Sequence, residues 1–242
     1  MILVNDVGRH KDKYRTLIDS ALKRVLKSGL FVQSAEVNKF ENHFSRYLGV
    51  GHCVSVGNGT DALELALRAL GIAPGDRVAT VANAGFYSSS AIITVGAVPV
   101  FMDVDYSTFM VPFNEIKRTI ESGIRALIIT HLFGRIHKKI EEIAETCKAN
   151  GVILVEDCAQ AHGAKIDGVY AGCFGEVGCF SFYPTKNLGG LGDGGAVVTN
   201  SSKTATLVKE LSQYGWSNKY KVNTLSGRNS RLDEIQAAIL VD

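Results

Sequence analysis

Short apolar runs recur along this chain, each followed by a loop and then by apolar residues at helical spacing. The runs fall at 53–56, 77–82, 98–101, 126–130 and 152–156, with helical stretches at 60–70, 86–95, 113–120 and 136–149 between them. A strand that is apolar at every position has no face to offer water, so both of its sides must be covered. Helices that return between successive strands supply that cover on a mostly parallel sheet. The predicted class is therefore α/β.

Two helical stretches precede this rhythm. One spans 11–27, with Tyr14, Leu17, Ile18, Leu22, Val25 and Leu26 on one side, and the other spans 37–48, with Val37, Phe40, Phe44 and Leu48. After Asp157 the pattern changes to short strand-like pieces at 164–169, 178–182 and 195–199, and eight glycines fall between Gly172 and Gly195. Such density lets backbone approach a ligand closely, a merely tight loop being the other reading. A last helical pattern covers 231–241 and runs uncapped into the end of the sequence.

With 46% hydrophobic residues in 242, the chain can bury one large core. Twenty-six basic and twenty-four acidic residues leave a formal charge of +2, without the long single-sign runs of a nucleic-acid or membrane footprint. Five cysteines, an odd number without close pairing or zinc-ligand spacing, point to reduced thiols and to no metal site. Neither a signal-peptide core nor an apolar run of membrane-spanning length is present, so a soluble cytoplasmic protein is expected.

Three segments carry chemistry. In VGNGTDALELAL (56–67) a strand ends in Gly57-Asn58-Gly59 and a helix opens at Thr60-Asp61. Free N–H groups, a hydroxyl and unobstructing glycines suit an anion, though Thr60 or Asp61 could equally serve as an ordinary cap. In ILVEDCAQAHGA (153–164) Asp157 follows a buried strand directly, at the edge where α/β sheets bind ligands. A carboxylate there can hold a ring nitrogen protonated, and Gln160 can reach a neighbouring oxygen; His162 reads more readily as a local hydrogen-bonding residue than as a catalyst. In CFSFYPTKNLGGLGDGGAVVTN (179–200) Lys186 lies between Pro184 and a glycine run, and Ser181 offers a hydroxyl. A lysine drawn from water becomes an amine nucleophile toward carbonyls, whereas a surface loop lysine does not. An anion cradle, a carboxylate for a ring nitrogen and an amine are together what pyridoxal 5'-phosphate demands.

The segments NGTDAL (58–63), GAVPVFMDVD (96–105), HLFG (131–134), EDCAQAHGA (156–164), FSFYPTKNLGGLGDGG (180–195) and NSRLDEIQAAIL (229–240) closely resemble, in order, the nucleotide-sugar aminotransferases. These form the DegT group of fold-type-I enzymes. The resemblance implies the seven-stranded-type large domain of that fold, mostly parallel with helices on both faces. It implies that Lys186 carries pyridoxal 5'-phosphate as a Schiff base and that Asp157 pairs with the pyridine nitrogen. Gln160 would bond the ring oxygen, and Gly59, Thr60, Asp61 and Ser181 would take the phosphate. Phe86 stands where the family sets an aromatic ring against the cofactor, and Asn229, in an NxR pattern with Arg231, matches a residue that crosses a dimer interface.

The activity so implied moves an amino group, glutamate being the expected donor, to a nucleotide-linked keto-sugar in amino-sugar, polysaccharide or antibiotic biosynthesis, within a homodimer. Ser34 and Gly85 depart from the glycine and threonine common in relatives. Relatives also continue past the NxR helix, so the expected organisation is a helical segment at 1–30 and a cofactor-binding domain at 31–242, the small C-terminal domain absent or truncated. That leaves a non-catalytic or regulatory relative as the alternative. The dehydratases of the group replace the lysine with histidine, which Lys186 argues against, and no GxGxxG follows the first strand to suggest a dinucleotide binder.

Overall fold

The computed structural model describes residues 6–242, the side chains of His10 and Lys11 excepted. Helices α1 (Val7–Lys13), α2 (Arg15–Ser28) and α3 (Ala35–Leu48) lead into β1 (His52–Val56) and α4 (Gly59–Ala69). There follow β2 (Arg77–Val81), α5 (Tyr87–Thr94), β3 (Val98–Met102), α6 (Phe113–Glu121), β4 (Ala126–Thr130), a 3-10 turn (Leu132–Gly134), α7 (Ile140–Ala149) and β5 (Ile153–Asp157). The last third holds β6 (Lys165–Ile166), β7 (Val169–Tyr170), β8 (Val177–Ser181), β9 (Gly195–Thr199), α8 (Ser202–Leu211), β10 (Trp216–Asn218), β11 (Lys221–Val222) and α9 (Glu234–Val241).

Seven strands form one sheet in the order β1-β9-β8-β5-β4-β2-β3. The pairs β2·β3, β2·β4, β4·β5 and β5·β8 are parallel, and only β9 runs against its neighbours β1 and β8. The apolar runs alternate in facing, as the period of two requires. Val78, Ile128, Val155 and Val197 meet α4, α5 and α8 on one side. On the other side, Leu127, Ile129 and Leu154 meet α6 and α7, while Phe180, Phe182 and Val198 meet α3 and α9. Helix α4 is buried continuously from Asp61 to Leu67, because the sheet lies beneath it and α5 and α8 lie against it. Full burial of each leucine there stabilises by ~1.5–3 kcal/mol. Among the described residues no helix is long and apolar enough to cross a membrane.

The structure refines several expected boundaries. The first helix breaks at Tyr14, and the last begins at Glu234, because 231–233 run extended into the Asp233 cap. The piece expected at 164–169 is a hairpin of two-residue strands turning at Asp167-Gly168, both at positive φ, the geometry an Asp-Gly hairpin turn needs. The hairpin β10–β11 has no counterpart among the expected strands. Edge strand β1 is closed off by α3, since the N–H and hydroxyl of Ser55 both donate to Glu41.

Glu234, buried at the start of α9, reaches back about 200 residues in sequence to cap α3. Its carboxylate accepts the N–H groups of Ser34 (2.6 Å), Glu36 (2.8 Å) and Val37 (3.1 Å), while the Ser34 side chain makes no cap bond. A negative charge at a helix N-terminus is favourable, and three stranded donors are costly. Glu234→Ala should therefore lower unfolding free energy by about 3 kcal/mol, and Glu234→Gln by less, in chemical denaturation.

His162 lies in the aromatic layer between α3 and the sheet, with its ring centroid 5.4 Å from Phe180 and 5.6 Å from Phe182. Neither ring nitrogen meets a hydrogen-bond partner. Burial, reinforced by the charge of Lys186, pushes its pKa down from 6.5 to about 4. The unfolded chain thus binds a proton that the folded chain refuses, so stability is intact above pH 6.5 and declines as pH falls toward 4. Over that interval the native chain should lose about 2–3 kcal/mol that His162→Phe does not lose, measured by denaturation at each pH.

Candidate active site

Strands β1, β5 and β8 run in the same direction, so Val56, Asp157 and Ser181 arrive together at one edge of the sheet. Ligands of α/β sheets bind outside this carboxyl edge. A cavity of about 470 Å³ opens there, within the ~300–1,000 Å³ range of small-molecule sites.

One wall is the start of α4. Asn58 is extended and caps the helix, its side-chain oxygen accepting the Asp61 N–H at 2.8 Å. Asn58, not Thr60 or Asp61, is thus the cap. The N–H groups of Gly59 and Thr60 belong to the first turn, which has no intrahelical acceptors. Thr60 and Ser181 both line the cavity. Two glycines permit this closeness: a Cβ on Gly59 would stand 2.7 Å from that of Ser181, and one on Gly195 would stand 2.3 Å from the Asn58 carbonyl oxygen.

Asp157 and Lys186 also line the cavity. Asp157 is buried at the tip of β5, where one carboxylate oxygen accepts the Ala159 N–H at 3.1 Å. Burial raises its pKa above the usual carboxylate value, opposed by that hydrogen bond and by the charges of His131 and Lys186. Lys186 is half-buried, its N–H bonded to the Tyr183 carbonyl at 2.8 Å in a tight turn. The glycine run that follows is hooked to α9, since Gln236 accepts the Leu191 N–H at 2.7 Å. Gln236 escaped the sequence reading because its partner lies 45 residues away.

Gly59, Thr60, Asp157, Ser181 and Lys186 therefore share one cavity, whereas the other candidates lie apart. The carboxylate of Asp61 is turned away, bound to Arg228 at 3.0 Å and to the Ser230 hydroxyl at 2.6 Å, and its N–H is taken by Asn58. Gln160 accepts the Phe133 N–H at 2.9 Å and is not part of the cavity wall. Asn229 is exposed, in an antiparallel bridge with Gln213. Phe86 is 67% exposed, and the aromatic residues that line the cavity are Tyr87 and Tyr183. Gly85, at φ 78°, turns the chain there, and Phe86 becomes the residue before α5 while Tyr87 opens it. The family resemblance pointed to Phe86, and the sequence held no signal for Tyr87.

Behind Asp157, Glu156 is fully buried and accepts the N–H groups of Gly172, Phe174 and Gly175 besides bonding His131 Nε2 at 2.8 Å. His131, Glu156 and Cys158 lie close enough to suit a metal ion. The carboxylate's oxygens are already engaged, however, and burial holds the Cys158 thiol far above its ordinary pKa, while His131 Nδ1 is buried without a hydrogen-bond partner.

The chain is similar to proteins of known activity. The chain is 42% identical over 229 residues to dTDP-3-amino-3,4,6-trideoxy-alpha-D-glucose transaminase of Micromonospora megalomicea subsp. nigra, covering 95% of this chain and 61% of that protein. The crystal structure of S. venezuelae DesV in complex with a ketimine intermediate superposes with a TM-score of 0.93 at 40% identity, covering 97% of this chain and 63% of that one. NtdA from Bacillus subtilis with bound cofactor PMP superposes with a TM-score of 0.90 at 30% identity, covering 98% and 54%. The chain thus spans about three fifths of the length of these relatives. Residues 13–242 match the model of the DegT/DnrJ/EryC1/StrS aminotransferases, and the chain belongs to that family.

Proposed function

We propose that this chain carries the cofactor-binding core of a pyridoxal 5'-phosphate-dependent aminotransferase that passes an amino group, with glutamate as donor, to a nucleotide-linked keto-sugar. The observation that supports it most is the meeting of Lys186, Asp157 and the Gly59-Thr60-Ser181 cradle in one cavity. The names of the transaminase relatives support the sugar class.

The residues present fit the cofactor. First-turn N–H groups and the hydroxyls of Thr60 and Ser181 suit a phosphate, which the helix dipole also favours. A buried carboxylate whose pKa is raised by desolvation gains from a cationic ring nitrogen beside it, so Asp157 would hold that nitrogen protonated. Tyr87, in place of Phe86, is proposed to lie against the ring face. Gln160 would have to exchange its bond to Phe133 to reach a ring oxygen.

Pyridoxal phosphate, when bound, supplies an aldehyde for amine exchange and a protonated ring that accepts electrons. The Lys186 amine would hold it covalently and, once free, would move a proton to and from the substrate carbon. Asp157 would keep the ring nitrogen charged through both halves of the reaction. Exposed Asn229 is proposed to face the phosphate of a second copy, making the working unit a homodimer.

Added pyridoxal phosphate should give an absorbance that borohydride fixes to Lys186, identified by peptide mass. Lys186→Ala should abolish that labelling; a label on another lysine would overturn the assignment. Asp157→Asn should slow amine transfer from glutamate by about 10²-fold or more, judged against unchanged labelling. Tyr87→Ala should weaken cofactor binding about threefold to tenfold, and more than Phe86→Ala does, in equilibrium titration.

A further inference from the structure

Asp61 and Glu64 lie one turn apart on α4, 6% and 4% exposed, on the side of the helix turned from the cavity. Both bind one cation from a distant segment: Arg228 meets Asp61 at 3.0 Å and Glu64 at 2.5 Å. Glu64 also bonds Arg68 at 3.0 Å. Ser230, two residues on, donates its hydroxyl to Asp61 at 2.6 Å and accepts the Gly57 N–H at 2.9 Å. The segment itself is fixed by backbone bonds, Arg228 N–H to Leu211, Tyr214 N–H to Arg228 and Ser230 N–H to Ser212.

Two carboxylates of like charge, desolvated side by side, are a poor way to stabilise a helix that is otherwise apolar. What they do is define geometry. Asp61 touches the turn before the helix through Ser230, while its own N–H is bound to the Asn58 cap. Gly57 and Asp61, on either side of the cradle residues Gly59 and Thr60, are thereby tied to the segment 228–230.

Resting on the reading of the cavity as a phosphate-taking cofactor site, we infer that Asp61 is a positioning residue: with Ser230 and Arg228 it latches the segment 228–230 to the cradle and sets its anion affinity. The phosphate itself is bound by Gly59, Thr60 and Ser181. Residues outside the cavity thus control how tightly a phosphate monoester is held, and Asn229, between the two latching residues, is carried in a fixed relation to the cradle.

The test uses the full chain with Asp61→Asn, Ser230→Ala, Arg228→Met and the Asp61→Asn/Arg228→Met double variant. Affinities are measured for pyridoxal phosphate, for pyridoxal, which lacks the phosphate, and for inorganic phosphate by its shift of the thermal midpoint. Each single variant should lose about tenfold in affinity for pyridoxal phosphate and for inorganic phosphate while pyridoxal stays within about twofold. The double variant should be no weaker than the weaker single one, the non-additivity expected of a shared network. Equal losses for pyridoxal and its phosphate, or no loss for either, overturn the latch. Should Arg228→Met fail to fold, Ser230→Ala, which removes a single hydroxyl, carries the same comparison. If the unaltered chain takes phosphate but neither pyridoxal compound, the cofactor reading fails while the latch is judged on inorganic phosphate alone; if it takes no phosphate, both fail.

Discussion

The burial of α4 governs the rest of the structure. A helix apolar from Ala62 to Leu67, apart from Glu64, can rest only between the sheet and other helices, and that position fixes where its first turn points. The turn is held against β8 at a distance that Gly59 alone makes possible, since any side chain would collide with Ser181. Hydrophobic packing therefore aims a set of unsatisfied N–H groups at the carboxyl edge of the sheet. Asp157 and Lys186 reach the same edge from β5 and from the turn after β8, so the core and the candidate site are built by one arrangement.

Charge is distributed around this edge with a division of labour. Asp157 faces the cavity, where desolvation lifts its pKa and cationic neighbours counter the lift. Glu156, the next residue along the strand, points to the opposite face and is consumed by backbone donors and His131. Asp61 and Glu64 are likewise spent on Arg228. Of the buried acids near the cradle, only Asp157 keeps acceptor capacity for a ligand, because the other carboxylates close loops and fasten segments.

The sequence made the sheet and most of its helices legible because long apolar runs and helical spacing leave a period to read. Two-residue strands such as β6 and β7 leave none, and the Asp167-Gly168 pair is their only local mark. The arrival of Asp157 at the cavity was readable from its place at a strand end, and that of Lys186 from the glycine run beside it. The roles of Asn58 and Asp61 were not separable, because three polar residues crowd one helix start and only the direction of each side chain distinguishes cap from latch. The placement of Tyr87 on the cavity wall, beside exposed Phe86, follows from the backbone at Gly85 and left no local pattern to read. Gln236 and Glu234 act through partners far away in sequence, beyond any local pattern.

The Glu234 clamp on α3 also bears on how the polypeptide acquires its form during synthesis. Helix α3 covers the aromatic layer and the border of β1, yet its capping anion emerges from the ribosome about 200 residues later. Until then the nascent segment has three dangling amide donors and no α9 to rest on. Closure of such a long loop is entropically slow, so maturation of the layer under α3 awaits translation of α9.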